Sequence, residues 1–273
     1  MSMTERVSIV LGGGRGIGKA IAKRFAEAGS IVVLVARTND EIESTLKEIK
    51  KNNGHGISIK ADISKINDIK SLVTKVIERY SKIDILVNSA GVIKPIGPIH
   101  EADVKEWEEN IKINLFGTFY CIKTILPYMI SQNHGKIINM SGGGAFNSMP
   151  NFSAYGVSKA AIVRLTETVA AEVKKYNIFV NAIAPGPIKT KITYDILESG
   201  NLAGIENARA KDVIEKGDAG IEKVTELALF LASNESNGLT GKTISARWDD
   251  LNYIKNNIHA IQQSDKYTMK RMI

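Results

Sequence analysis

The chain has 273 residues, of which 44% are hydrophobic and 24% charged, with only 6 prolines. This composition excludes disordered and fibrous classes, and the length is near the upper limit that one hydrophobic core supports. The formal net charge of +7 comes from basic residues interleaved with acidic ones, so we expect no nucleic-acid partner.

Seven short β-branched runs alternate with longer stretches of helical periodicity. The runs are residues 7–11, 31–35, 57–60, 83–87, 136–140, 178–183 and 243–245. Alternation of this kind is typical of a parallel sheet that helices cover on both faces. The sequence therefore predicts an α/β fold: a doubly wound, parallel, seven-stranded Rossmann sheet in three α/β/α layers, forming a single domain over residues 1–246.

Two segments depart from this rhythm. Residues 191–217 are polar and weakly periodic after a Pro-Gly turn, which predicts a mobile substrate flap. In the tail, residues 247–273, an apolar stripe of Leu251, Ile254, Ile258 and Ile261 predicts an amphipathic helix. We expect that stripe to pack across a subunit interface, with Trp248 as an anchor. Packing on the parent domain is the alternative.

Few residues suit metal or disulfide chemistry. Cys121 is the single cysteine, and the four histidines show no ligand spacing, so we expect no metal site and a reducing, cytoplasmic location. The most apolar long stretch, residues 111–130, contains Lys112 and Lys123. We therefore expect neither a transmembrane segment nor a membrane partner.

A glycine-rich turn follows the first predicted strand and leads at once into a helix. Its residues are Gly12, Gly13, Gly14, Arg15, Gly16, Ile17 and Gly18. A backbone without side chains lets a pyrophosphate approach the free N–H groups of a helix N-terminus. The position of the turn in a βαβ unit predicts a dinucleotide cofactor.

The second predicted strand ends in Ala36 and Arg37. A carboxylate at this position would suit the ribose of NAD, whereas an arginine suits the 2′-phosphate of NADP. Arg15 adds a second positive charge within reach. NADP is therefore favoured over NAD.

Tyr155 and Lys159 stand four residues apart, so they share one face of the predicted helix. The glycine turn, residues 88–91 with the sequence Asn-Ser-Ala-Gly, this Tyr/Lys pair and Pro185-Gly186 occur in order along the chain. With these motifs the chain resembles the short-chain dehydrogenase/reductase family over about residues 5–245.

The resemblance implies an NADP-dependent oxidoreductase that interconverts a carbonyl and a secondary alcohol of a small molecule. Tyr155 would exchange a proton with the substrate oxygen, and Lys159 would bind the nicotinamide ribose and hold the phenol pKa down. Asn114 would hold a proton-relay water. We also expect a homo-oligomer, either a dimer or a tetramer.

The resemblance further implies a set of cofactor contacts. Asp62, with Ile63 beside it, would contact the adenine, although Asp62 also suits a helix-start cap. The ribose and nicotinamide contacts would come from Asn88, Ala90, Gly91, Pro185, Gly186, Ile188 and Thr190.

The sequence departs from the family pattern at two places in these motifs. Leu11 stands where the family usually has threonine, and the family's catalytic serine falls on Gly142. Ser141 is one residue early, so on a regular strand it would point to the opposite face. A bulge among Gly142, Gly143 and Gly144 could turn it inward, which leaves Ser141 either a catalytic hydroxyl or a loop cap.

The sequence is also compatible with two other functions. A sugar-nucleotide modifying enzyme could use the same Tyr/Lys pair through transient oxidation, but it would usually carry a larger second domain. A non-catalytic NADP-binding regulator would be consistent with the displaced serine. The substrate and the preferred direction of reaction are not encoded in any motif.

Overall fold

The computed structural model describes residues 1–216 and 220–270, and its centre is one parallel seven-stranded sheet. The strands are β1 (Val7–Leu11), β2 (Ile31–Ala36), β3 (His55–Lys60), β4 (Ile85–Asn88), β5 (Gly135–Met140), β6 (Ile178–Ala184) and β7 (Thr243–Ser245). They lie in the order β3-β2-β1-β4-β5-β6-β7, and all six pairings are parallel. The predicted fold class is confirmed.

Helices cover both faces of the sheet. They are α1 (Gly16–Glu27), α2 (Asn39–Lys51), α3 (Ile66–Tyr80), α4 (Val104–Ile111), α5 (Gly117–Gln132), α6 (Ser153–Val173), α7 (Lys191–Glu198), α8 (Ile205–Lys216), α9 (Ile221–Ala232), α10 (Leu251–Asn256) and α11 (Ile258–Gln262). A π-helical turn, Lys112–Phe116, joins α4 to α5.

Successive residues of a strand place their side chains in two separate hydrophobic cores, one on each face of the sheet. Val10 and Leu34 belong to the core that includes α1, α2 and α9, whereas Ile9 and Val33 belong to the core that includes α3, α5 and α6. Burial on both faces explains why β1 is apolar at nearly every position. Because all strands run the same way, the loops that follow them meet at one edge of the sheet.

The helical stretch 104–132 is long and apolar enough to cross a membrane when judged by length and composition alone. Lys112 and Lys123 do not prevent it from meeting that criterion, so this part of the sequence argument is wrong. In the fold, Cys121, Ile125 and Met129 of this stretch are fully buried in the core beside the sheet. A helix that packs in the core beside the sheet needs the same apolar composition as a helix that crosses a membrane.

The segment predicted as a flap contains two helices, α7 and α8, which contact each other. Ile196, Ala203 and Ala210 from this segment are buried against Phe152 and Tyr155. The segment thus has apolar contacts with the body that its weak periodicity did not indicate. Gly217, at the end of the predicted flap, lies outside the described residues.

The tail differs from the prediction. It forms two short helices, α10 and α11, instead of one. Ile254 and Ile261 are buried in the core that includes α9, and Leu251 and Ile258 pack against the same core. The expected intersubunit role of the stripe is therefore wrong, because the parent domain covers it. Trp248 stays 76% exposed, and residues 271–273 lie outside the described residues.

Candidate active site

The glycine turn between β1 and α1 has no room for side chains. A Cβ on Gly12 would lie 3.0 Å from the backbone N and Cα of Ala90, and one on Gly18 would lie 2.3 Å from the Gly12 carbonyl oxygen. Gly12 and Gly16 also have positive φ, at 74° and 53°. No side chain caps the start of α1, so its first N–H groups suit a phosphate.

A single cavity begins at this turn and continues over the ends of β2 and β4. Of the residues expected at the cofactor, it is lined by Gly12, Gly14, Arg15, Gly16, Ile17, Gly18, Arg37, Asp62, Ile63, Ala90, Gly91 and Thr190. Side-chain-free backbone at one end and a basic group at the other fit a dinucleotide.

The two arginines at the β2 end of the cavity differ in their surroundings. Arg15 Nη1 lies 3.1 Å from Glu41 Oε1 of α2. Arg37 is exposed and makes no ion pair or side-chain hydrogen bond with the described residues. Arg37 is thus the cation that is available to an anion in this cavity.

Asp62 lines the cavity but does not cap a helix start, because α3 begins at Ile66 and its N-cap is Lys65. The predicted adenine contact stays a prediction. Asp62 Oδ1 accepts hydrogen bonds from the N–H and the hydroxyl of Ser64 at 3.0 and 2.8 Å. Burial raises the pKa of this carboxyl, but those hydrogen bonds and the charges of Arg37 and Lys65 outweigh burial and lower it. Asp62 is therefore an ionised acceptor near neutral pH.

Six expected cofactor residues do not line this cavity: Asn88, Tyr155, Lys159, Pro185, Gly186 and Ile188. Asn88 is buried, and its Nδ2 donates to Asn139 Oδ1 at 2.7 Å. Asn139 in turn donates to Thr166 of α6 at 2.9 Å. In this geometry the Asn88 side chain connects β4 to β5 instead of facing the cavity. Ile188 is buried in the core that contains α9.

Tyr155 and Lys159 lie on the first turns of α6, both buried, at 8% and 6% exposure. The Lys159 ammonium is 5.4 Å from the centre of the Tyr155 ring and donates to the Met140 carbonyl oxygen at 2.9 Å. Burial raises the phenol pKa to about 12 and lowers the Lys159 pKa to about 8. The expectation that Lys159 holds the phenol pKa down is not met in the cofactor-free protein, because desolvation dominates.

Asn114 is anchored in the π-helical turn by four hydrogen bonds. Its Oδ1 accepts from the Val92 N–H at 2.9 Å. Its Nδ2 lies within 3.0 Å of the Val92 carbonyl, Asn110 Oδ1 and Ser158 Oγ. The Ser158 hydroxyl donates to the Tyr155 carbonyl at 2.7 Å. These contacts connect the loop after β4 to the helix that carries Tyr155 and Lys159.

The model of the short chain dehydrogenase family matches residues 6–201. The chain belongs to that family. A 3-oxoacyl-(acyl-carrier-protein) reductase of Thermotoga maritima is 34% identical over 245 residues, covering 89% of this chain and 97% of the relative. Among solved structures, a NAD+-bound xylitol dehydrogenase is 27% identical with a TM-score of 0.84, covering 90% of this chain and 98% of that one.

Two further structures broaden the comparison. A levodione reductase has a TM-score of 0.82 at 26% identity, covering 89% of this chain and 96% of that one. A gluconate 5-dehydrogenase from Burkholderia cenocepacia, in complex with NADP and tartrate, has a TM-score of 0.78 at 26% identity, covering 89% and 94%. This short-chain dehydrogenase is thus a NAD(P)-dependent enzyme of carbonyl and alcohol oxidoreduction.

In this short-chain dehydrogenase, Gly142 and not Ser141 faces the phenol. A Cβ on Gly142 would lie 2.5 Å from Tyr155 Oη. The Ser141 N–H donates to the Ile183 carbonyl at 2.9 Å, whereas its hydroxyl is buried without a hydrogen-bond partner among the described residues. In this geometry Ser141 is not a loop cap, and its role as a catalytic hydroxyl stays a prediction.

Sequence reasoning missed two residues of the short-chain dehydrogenase site. Glu41 pairs with Arg15 and packs behind the turn, where a Cβ on Gly14 would lie 2.7 Å from Glu41 Cβ. Asn110 is fully buried and donates to the Lys94 carbonyl at 2.7 Å. The four-residue spacing of Asn110 and Asn114 was the available signal, because it places both amides on one helix face. Glu41 had no comparable signal.

Proposed function

We propose that this short-chain dehydrogenase is a NADP-dependent oxidoreductase that interconverts a ketone and a secondary alcohol, with Tyr155 as the general acid and base. The observation that carries the proposal is the burial of Tyr155 and Lys159 side by side on α6, next to the glycine-turn cavity: a Cβ on Gly91, which lines the cavity, would lie 3.8 Å from Lys159 Nζ. A phenol and an ammonium removed from water are suited to proton transfer in a dry site.

The residues that would hold the cofactor fit its chemical groups. The backbone of the glycine turn would bind the pyrophosphate, Asp62 and Ile63 would border the adenine, and Ala90 and Gly91 would border the riboses. Thr190 would border the nicotinamide end. When bound, the cofactor supplies or accepts the hydride that the carbonyl carbon gains or the alcohol carbon loses.

The chain's own residues manage the proton. In reduction the protonated phenol of Tyr155 donates its proton to the substrate oxygen, and the O–H bond forms as the carbonyl becomes an alcohol. In oxidation the phenolate takes that proton back. The positive charge of Lys159 favours the phenolate form during this exchange. Asn114 keeps the loop after β4 in register with α6, and its expected relay water completes the path to solvent.

Arg37 supports NADP over NAD. It lines the cavity without an acidic partner among the described residues, so its guanidinium is available to a 2′-phosphate. The neighbouring Glu41 is neutralised by Arg15. The structural relatives bind either form of the cofactor, so the preference depends on this chain's own Arg37.

An aromatic surface supports a homo-oligomer, either a dimer or a tetramer. Phe116 and Phe119 are 46% and 42% exposed, and their ring centres lie 6.3 and 5.7 Å from that of Tyr120. Exposed aromatic groups at this density are typical of an interface. We propose that a second copy of the chain covers them.

The proposed function is tested by fluorescence titration with NADPH and a turnover assay over a panel of ketones. We expect binding and turnover, and we expect Tyr155→Phe to lower kcat by about 10²- to 10⁴-fold because the general acid is lost. The Kd for NADPH should stay within about twofold, since the residues that would bind the phosphates are unchanged. NADPH binding without turnover of any carbonyl would instead indicate the regulator. Unchanged turnover in Tyr155→Phe would exclude this phenol from the mechanism.

A further inference from the structure

The phenol of Tyr155 lies in a small apolar cluster that is separate from the two cores beside the sheet. We call this set the phenol cluster; its buried members are Ile93, Phe152, Tyr155, Ile196, Ala203 and Ala210. They come from the loop after β4, the start of α6 and the α7–α8 segment. Ile96, Met149, Ile192 and Leu197 pack around them. Three distant segments thus place apolar side chains in one cluster with Tyr155.

Two polar side chains of these same segments hydrogen-bond to backbone carbonyls. Asn151 Nδ2 donates to the Leu202 carbonyl at 2.9 Å. Asn207 Nδ2 lies 3.3 and 3.2 Å from the carbonyls of Ile196 and Leu197. Each therefore satisfies a backbone group and is not available to a substrate hydroxyl.

Two cations of α7 and α8 are paired with carboxylates on their own helices. Lys191 Nζ lies 2.9 Å from Asp195 Oδ1, and Arg209 is paired with Glu206. A carboxylate or phosphate on the substrate would have to break one of these pairs to gain Lys191 or Arg209 as its partner, which disfavours recognition of an anion by these two side chains.

Because residue 142 is glycine, this position offers no polar side chain to a substrate. The position that faces Tyr155 Oη carries no side chain, and the neighbouring Gly143 faces the Met149 sulfur, 3.3 Å from where a Cβ would lie. The glycines here contribute backbone groups and the neighbouring Met149 a thioether, but no side-chain hydroxyl, amide or charge. A substrate with several hydroxyl groups would find few side-chain partners here, and each group left unpaired costs free energy.

Binding must separate the α7–α8 segment from the phenol, since Tyr155 is only 8% exposed. That separation exposes the apolar side chains of Ile196, Ala203 and Ala210. The lost burial is regained only if the substrate presents apolar surface of its own. Beyond the cluster, Leu202 and Ile205 are 50% and 67% exposed, so apolar surface continues outward.

We propose that the substrate is a ketone, or the matching secondary alcohol, with an alkyl or aryl body of several carbons, and not a polyol, sugar or sugar acid. This inference rests on the proposed function, because it names the substrate class of the same site. The reaction is the one given above: the carbonyl carbon gains a hydride, and its oxygen gains the proton of Tyr155.

The test compares two series of carbonyl compounds with the wild-type enzyme and NADPH. One series is methyl ketones from four to ten carbons, and the other is ketoses and keto sugar acids of similar size. We expect kcat/KM to rise up to about fourfold per added methylene over part of the alkyl series. The best alkyl ketone should exceed every member of the polar series by at least tenfold.

Binding of the alcohol products gives a readout apart from activity. With NADP present, a secondary alcohol of eight carbons should raise the Tm, whereas a six-carbon polyol at the same concentration should not. A polar series that is turned over faster than the alkyl series would overturn the substrate class and leave the proposed function intact. Turnover of neither series would overturn the proposed function itself.

Substitutions in α7 test whether the phenol cluster is the part of the protein that contacts the alkyl chain of the substrate. Ile196→Asn should flatten the dependence of kcat/KM on chain length, and Ile196→Leu should keep it. Glu198→Gln, on the exposed side of the same helix, is the matched control and should leave the series unchanged. Equal NADPH affinity in all three variants would show that they fold. An unchanged slope in Ile196→Asn would contradict the assignment of the phenol cluster to substrate.

Discussion

The two halves of the active site are built in opposite ways. The half at β1 and β2 is an open cavity of polar and apolar residues, bordered by glycine backbone, Arg37 and Asp62. The half around Tyr155 is closed and apolar, and the phenol there is 8% exposed. The glycine turn of the first half is one continuous stretch of sequence, whereas every part of the second half comes from segments far apart in the chain. This division would suit an enzyme that binds the same cofactor as its relatives but a substrate of its own.

The largest expected effect is on the pKa of Tyr155, and it tests whether water is excluded from the half of the site around this phenol. Because burial raises the Tyr155 pKa from 10.0 to about 12, its proton affinity should be about a hundredfold above that of an exposed phenol. In the cofactor-free protein, the ultraviolet difference titration of wild type minus Tyr155→Phe should show no ionisation of this phenol below about pH 11. The proton-donating form then persists throughout the neutral range. Ionisation near pH 7 would mean that Lys159 prevails over desolvation.

The open half is tested by Arg37→Ala. Loss of a charge-assisted contact to the 2′-phosphate should raise the KM for NADP by about 10- to 100-fold and leave the KM for NAD unchanged. Steady-state kinetics with both cofactors measure this ratio. Lys51→Ala, an exposed charge at the end of α2, is the control for a general loss of positive charge. An equal change with NAD and NADP would assign Arg37 to non-specific attraction.

The smallest expected effect concerns Ser141. Its hydroxyl is buried and has no hydrogen-bond partner in the part of the chain that the structure describes, so Ser141→Ala should change kcat by less than about twofold. Loss of a true oxyanion donor would lower kcat by about 10²- to 10³-fold. The comparison variant is Gly142→Ser, whose Cβ would force the phenol to move and should therefore alter kcat more than Ser141→Ala does. A large loss in Ser141→Ala would show that this loop rearranges during the reaction.

The sequence predicted the fold and the open half well because both depend on local rules. Apolar runs between turn residues located β1 and β7 at their observed bounds, and the remaining strands within about two residues at each end. The glycines predicted to accept a phosphate stand close together in the chain, so Gly12, Gly16 and Gly18 were identified from their spacing and from their position between a strand and a helix.

The closed half was less predictable because its contacts join distant residues. Nothing near Ile196 in the sequence indicates that it meets Phe152. The role of Asn110 depends on a carbonyl of Lys94 that only the folded loop presents. The tail failed for a related reason: an apolar stripe predicts burial, but the stripe alone cannot specify whether the covering surface belongs to the same chain.

The last part of the chain has a consequence for assembly. β7 is an edge strand, and the Thr243 N–H donates to the Tyr267 carbonyl at 2.8 Å, while Lys242 Nζ lies 2.7 Å from the Ser264 carbonyl. Residues 264–267 therefore lie over a border that would otherwise present unpaired amides to another sheet. Self-association by strand addition is therefore hindered at the β7 edge of the sheet.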